Sequence, residues 1–105
     1  MKTFRDRVRE VVAGIPKGKI MSYGDVAAAA GKPLAARAVG SIMHVNDDTR
    51  AVPCHRVIRT DGTIGGYNNG TPLKIRRLRA EGVRIDARGV VHPAHRIGMK
   101  HNING

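Results

Sequence analysis

Cys54, within the stretch AVPCHRVI at residues 51–58, is the only cysteine in this chain of 105 residues. As a thiolate it is a soft nucleophile, suited to attack on an alkyl carbon. His55 and Arg56 follow it, and neighbours of this kind draw a thiol towards its ionised form. On a strand, adjacent side chains point to opposite faces. A kink at or just after Pro53 is therefore needed to bring the His55 ring to the sulfur, directly or through a water. The plainer reading of a lone cysteine is a small buried hydrophobe. A zinc site fails on spacing, because there is no second cysteine and His92 and His95 fall in a polar tail.

The elements that must position this group come from one modest domain. With no Trp, one Phe and two Tyr, aliphatic side chains have to fill the core. Lys and Arg number 19 against 8 Asp and Glu, a formal charge of +11. A small domain this basic has a polyanion as its expected partner, nucleic acid first; charge kept for solubility, or a ribosomal place, is the alternative. No stretch resembles a signal peptide or a membrane span. A single cysteine allows no internal disulfide, so a reducing, cytoplasmic setting is expected, nucleoid-associated if the partner is DNA.

Residues 4–15 place Phe4, Val8, Val11, Val12 and Ile15 on one helical face, and Gly14 and Pro16 end that helix. Ser22 and Asp25 form a capping-box-like start for an alanine-rich helix that stops at Gly31. Pro33 suits the first turn of the next helix, with Leu34, Ala38 and Ile42 on one side. Two short helices joined by GKP read as a helix-turn-helix, or as an ordinary helical hairpin on pattern alone. The segment AVPCHRVI is expected as a short buried strand or extended turn, and residues 59–70 as a loop. A further helix has Thr71 as cap, Pro72 at its first position, Ile75 and Leu78 inward and Gly82 as its stop. VRIDARGVV alternates about a turn and suggests a small hairpin. The expected fold is mainly α, a winged-helix-like helix-turn-helix domain with a short active-site strand or turn and a small C-terminal hairpin. It spans residues 1–91, with residues 92–105 a polar, frayed tail.

PCHRVI, with SYGDVA upstream, AARAVG between, and GGYNNG and LKIRRLRAEG downstream, resembles the O6-alkylguanine-DNA alkyltransferases. These repair proteins move an alkyl group from guanine onto their own cysteine. The likeness runs from about Phe4 to Ile85 and covers that family's C-terminal, active-site domain. It implies that Cys54 accepts the alkyl group, that His55 acts as a base through a water, and that Glu81 orients and polarises His55. It makes Tyr23 a donor to the leaving guanine and Asn46 a brace between the recognition helix and the cysteine segment. Arg37 would enter the base stack as a finger, and Ala36, Gly40, Ser22, Arg56 and Tyr67 would contact the DNA or the flipped base. Singly, each has a plainer reading, Arg37 as a solvated charge and Glu81 as part of an ordinary last turn.

The implied partner is double-stranded DNA carrying O6-alkylguanine, bound by a monomer, with other repair proteins as further partners and no cofactor. The target carbon lies inside a base pair, so the base must be flipped out at a cost of a few kcal/mol. The frame also departs from the family. On this resemblance the family's usual N-terminal domain is expected to be missing, and His44 stands where relatives often carry a basic residue. The tail GVRIDARGVV looks more like that of the alkyltransferase-like proteins, which replace the cysteine and bind lesions without repairing them. Two functions follow, single-turnover transfer to Cys54 or a non-catalytic lesion-binding module. A plain helix-turn-helix regulator would not need the PCHR segment.

Overall fold

The computed structural model describes residues 1–65 and 70–98. Helix α1 (Phe4–Ala13) opens on a capping box, in which Thr3 Oγ1 accepts the Asp6 N–H and the Asp6 carboxylate accepts the Thr3 N–H, both at 3.1 Å. Its expected face is the buried one: Val8 and Val12 have no exposure, Ile15 follows them inward, and Phe4 and Val11 pack at the edge. Strand β1 (Met21–Ser22) runs straight into α2 (Tyr23–Ala29), whose cap is the buried Ser22, its Oγ accepting the Asp25 N–H at 3.0 Å. Helix α3 (Ala36–His44) packs on α2 and α1.

The turn after α3 leads to the cysteine segment and then to β2 (Val57–Ile58), which pairs in parallel with β1, Met21 opposite Val57 and Ser22 opposite Ile58. This two-stranded seam divides the core. Successive strand residues face opposite sides. Met21 and Val57 join the cluster under α1, α2 and α3, whereas Ile20 and Ile58 join Ile64, Leu78, Val83 and Val91 under α4 (Thr71–Ala80). The result is a mainly helical helix-turn-helix domain with a small sheet. No helix among the described residues is long and apolar enough to cross a membrane.

Three local expectations need correction. Helix α3 begins at Ala36, not at Pro33, because Lys32 to Ala35 close a turn through the Ala35 N–H to Lys32 carbonyl bond of 2.9 Å. Pro33, with its fixed φ, suits the second place of such a turn. Leu34 is thereby left outside the helix and 99% exposed, and the inward stripe is Ala35, Val39, Ile42 and Met43 rather than Leu34, Ala38 and Ile42. Val39 and Met43 withdraw more apolar surface from water than Ala38 can. Thr71 is the first helical residue of α4 rather than its cap. Gly70, at a φ of 95° that favours glycine, precedes it, and its carbonyl accepts the Leu73 and Lys74 N–H groups.

The hairpin is present, with Ile85 paired antiparallel to Val91 and the Asp86 N–H on the Val90 carbonyl at 3.0 Å. Residues 92–98, however, are not frayed. A single 3-10 turn at Pro93–His95 brings the chain back beside Ile20, whose N–H donates to the His95 carbonyl at 2.9 Å and whose carbonyl accepts the Ile97 N–H at 3.0 Å. The His95 ring also bridges the Arg84 N–H and the Gly18 carbonyl, each at 3.1 Å. The open edge of β1 supplied partners that a polar composition did not reveal. Residues 99–105 of the expected tail lie outside the described residues.

Candidate active site

The kink that the cysteine segment required is a 3-10 turn over Cys54–Arg56, closed by the Arg56 N–H on the Pro53 carbonyl at 2.9 Å. Cys54 itself is 4% exposed and packs in the α1–α3 cluster. The carbonyl that precedes the turn is anchored. Asn46, 3% exposed at the end of α3, donates from Nδ2 to the Val52 carbonyl at 2.8 Å, while its Oδ1 accepts from Arg9 Nη1 at 3.2 Å and from the Asp48 N–H at 3.3 Å. One side chain thus ties α1, the end of α3 and the cysteine segment together.

Helix α4 ends at Glu81, and its carboxylate meets the same turn. His55 Nε2 lies 3.0 Å from Glu81 Oε2. An ionised carboxylate only accepts, so Nε2 carries the proton and donates, and Nδ1 keeps its lone pair. Burial holds the His55 pKa below its ordinary value; the Glu81 contact opposes this, and the Arg56 and Arg77 charges reinforce it. His55 is therefore neutral near pH 7 and able to take a proton. For Glu81, burial alone would raise the pKa, but hydrogen bonds from Arg56 and His55 outweigh it and hold the carboxyl below the usual value.

Arg56, expected at the DNA, is instead turned inward. Its Nε and Nη2 grip both oxygens of Glu81 at 2.9 and 2.7 Å, and its Nη1 donates to the Ile15 carbonyl at 2.8 Å. Ser22, also expected at the DNA, is 1% exposed and serves as the α2 cap. Ser22 is taken by a local backbone N–H, and Arg56 by a carboxylate and a carbonyl distant in sequence.

Lys74 was missed by sequence reasoning. It is 1% exposed on the inner face of α4, one turn before Leu78, and Nζ donates to the Val57 carbonyl at 2.7 Å and stands 6.0 Å from the centre of the Tyr23 ring. Burial lowers its pKa to about 8, opposed by the negative charge of a Cys54 thiolate and aided by Arg59. The signal was available: a lysine on the stripe that buries Leu78 must be paired or desolvated. Tyr23, the first residue of α2 and half-buried, has its phenol pKa raised by burial and further by charge on Cys54, with Arg59 opposing. Tyr23 and Lys74 therefore both respond to charge on Cys54 and on Arg59.

On the outer side, Arg37 is exposed in the first turn of α3 and makes no hydrogen bond or ion pair among the described residues. Ala36 is half-buried beside it. At Gly40 no atom lies within 4 Å of the place a Cβ would occupy, so the helix surface there is open to a close approach. Tyr67 lies outside the described residues. Among the described residues no group of three or more His, Cys, Asp or Glu side chains is placed to hold a metal.

Residues 3–83 match the family model described as 6-O-methylguanine DNA methyltransferase, DNA binding domain. The methylated-DNA–protein-cysteine methyltransferase of Methanothermobacter thermautotrophicus is 42% identical over 83 residues, covering 79% of this chain and 46% of the relative. The first curated relatives are matched over about a quarter to a half of their own length. Among solved structures, S. pombe Atl1 in complex with damaged DNA containing O6-carboxymethylguanine superposes with a TM-score of 0.75 at 32% identity, over 92% of this chain and 98% of that one. Mycobacterium tuberculosis OGT in complex with DNA gives 0.73 at 40% identity, over 78% and 50%. On that match and on the cysteine turn it frames, the chain belongs to the 6-O-methylguanine DNA methyltransferase family of DNA repair proteins, through their DNA-binding domain.

Proposed function

We propose that this protein performs single-turnover transfer of an alkyl group from O6-alkylguanine in double-stranded DNA to Sγ of Cys54. The observation that carries the reading is the buried His55–Glu81 contact, held by Arg56, on the same turn as the one cysteine. Basic charge supplies sequence-independent affinity for the phosphate backbone. The open face of α3 at Gly40 meets the duplex, and Arg37 fills the space left when the damaged base is flipped out towards Cys54.

There neutral His55 takes the thiol proton at Nδ1 through a water, and the imidazolium that forms is stabilised by Glu81. The thiolate attacks the alkyl carbon. The S–C bond forms as the C–O6 bond breaks, and the bonding electrons pass to the guanine, which takes a proton from the Tyr23 hydroxyl. Lys74, cationic with its Nζ 6.0 Å from the centre of the Tyr23 ring, favours the phenolate left behind. The thioether is not reversed, since its C–S bond, unlike a disulfide, is not open to thiol exchange. The protein acts once, as a monomer, where the cell keeps its DNA.

One observation favours the second reading, a non-catalytic lesion-binding module. The likeness to Atl1 extends over 92% of the chain and 98% of that structure, whereas M. tuberculosis OGT structures match up to 90% of the chain but only about half of their own length. Intact-mass analysis after incubation with duplex O6-methylguanine DNA separates the two. Transfer adds one methyl group per chain and is abolished by Cys54→Ser; an unchanged mass with retained lesion binding selects the module.

A further inference from the structure

Helix α4 has two charged faces with different fates. Lys74, Leu78 and Glu81 project to one side, at about 100° per residue, and are consumed by Val57, the second core cluster and the His55–Arg56 pair. Pro72, Ile75, Arg76 and Arg79 fall on the other side, away from the cysteine. They line a groove of about 440 Å³. Ile75 also floors an adjoining groove of about 360 Å³, which reaches Ile64 and Arg88 on the hairpin. Ile64 belongs to the second cluster and Ile75 packs against it, so the apolar floor is continuous with the core.

The rim carries positive charge with little to neutralise it. Arg76 and Arg79 make no ion pair among the described residues; Arg79 donates only to the Ile85 carbonyl, at 3.1 Å. Arg88 stands 3.8 Å from Asp86 with 86% of its side chain exposed, an ion pair of little consequence. Of the other carboxylates of this region, Glu81 is taken by Arg56 and His55, and Asp61 accepts from the Thr63 N–H and hydroxyl. Phosphate needs donors but has no use for an apolar floor. An acidic, amphipathic protein segment uses both, its aliphatic side chains on Pro72 and Ile75 and its carboxylates on the arginines.

We propose that this outer groove of α4 is the docking surface for an acidic amphipathic segment of a partner protein, bound while the α3 face holds DNA. The claim is independent of whether Cys54 transfers alkyl groups. The two surfaces lie over different core clusters.

The test uses a fluorescein-labelled helical peptide with leucine on one face and glutamate on the other, polyglutamate of equal charge, and a DNA duplex. Each is titrated by anisotropy against the wild-type chain, Arg76→Glu/Arg79→Glu, and a control of equal charge change elsewhere, Lys17→Glu/Lys19→Glu. The expected result is a loss of about tenfold or more in peptide affinity for the groove variant only. Polyglutamate should bind several-fold more weakly than the amphipathic peptide, as a rough guide from the lost apolar contact. DNA affinity should fall equally in the two variants, and pre-bound DNA should leave peptide binding intact. Equal peptide losses in both variants, or polyglutamate binding as well as the peptide, would reduce the groove to bulk charge and overturn the proposal. A DNA loss peculiar to the groove variant would reassign the surface to nucleic acid. Arg76 and Arg79 are exposed, and the melting temperature of each variant checks that it folds; Arg76→Ala/Arg79→Ala, with a smaller loss of the same kind, serves if charge reversal does not.

Discussion

Arg56 holds Glu81 by both carboxylate oxygens, Nε to Oε1 at 2.9 Å and Nη2 to Oε2 at 2.7 Å, so the oxygen that meets His55 is fixed in place. Arg56 is a positioning residue in this view. Arg56→Ala should cost about 2 kcal/mol of stability, since it leaves a largely buried carboxylate and the Ile15 carbonyl without that donor. It should also slow alkyl transfer. Arg56→Lys should recover part of the stability but little of the rate, because an ammonium cannot reproduce the two-point grip. Thermal melting together with single-turnover rates on duplex O6-methylguanine DNA checks this; a lysine variant with the full rate would reduce Arg56 to a structural charge.

Transfer should fail on the acid side below the ordinary histidine value. The His55 pKa is lowered from 6.5, so His55 keeps its lone pair as pH drops through 6.5 and loses it only when pH reaches the depressed value. Stability follows the same sign. The unfolded chain takes up the proton first, so folding loses support as pH falls below 6.5. Glu81 adds a second loss, beginning near its unfolded value of 4.5 and completed at the depressed folded one. The pH profiles of rate and of urea midpoint measure both. A rate that halves above pH 6.5 would contradict the assignment of His55 as the base.

Lys74 gives a slope of the same sign in a higher pH window. With a folded pKa of about 8 against 10.5 unfolded, its burial costs stability below pH 8, and that cost is relieved as pH rises from about 8 to 10.5. The full effect is on the order of 3 kcal/mol. Lys74→Met should remove this upward slope while leaving the Val57 carbonyl without its donor, so net stability at pH 7 changes little. Its transfer rate should fall, because the cation beside Tyr23 is gone. Urea midpoints from pH 7.5 to 10 for both proteins test the slope; identical slopes would mean Lys74 is not the group responsible.

Arg37→Ala should weaken binding to lesion-bearing duplex and slow transfer from it by about tenfold, as the vacated stack loses its filler. Free O6-benzylguanine needs no flipping, so its reaction should change by less than about twofold on the same reasoning. Equal losses on the two substrates would give Arg37 a structural role.

Salt dependence reports the phosphate contacts. About four to six of them, reasonable for one small module, set a slope near −4 to −5 for the logarithm of affinity against the logarithm of salt. Fluorescence anisotropy between 50 and 300 mM salt, roughly the range over which counterion release is read, supplies the slope. A flat line would send the positive charge to another partner.

What the sequence determined by itself is local. The capping residues Thr3 and Ser22 stand within three positions of the N–H groups they satisfy, and the stripe through Val8 and Val12 is a matter of helical period. The PCHR segment and its accompanying motifs likewise carried the family and the candidate nucleophile. Where local signals compete, as at Leu34 against Val39, the packing of α3 on α2 decides the face, and the pattern alone chose wrongly. The inward turn of Arg56, the burial of Lys74 and the docking of residues 92–98 were decided only by the tertiary structure. Arg56 finds Glu81 25 positions away and Ile15 41 away, Lys74 finds Val57 at 17, and His95 finds Gly18 at 77. A charged side chain in the sequence states what it needs, a counter-charge or a carbonyl, but two elements must first pack on a shared core before that partner comes within 3 Å, a typical hydrogen-bond length of about 2.9 Å.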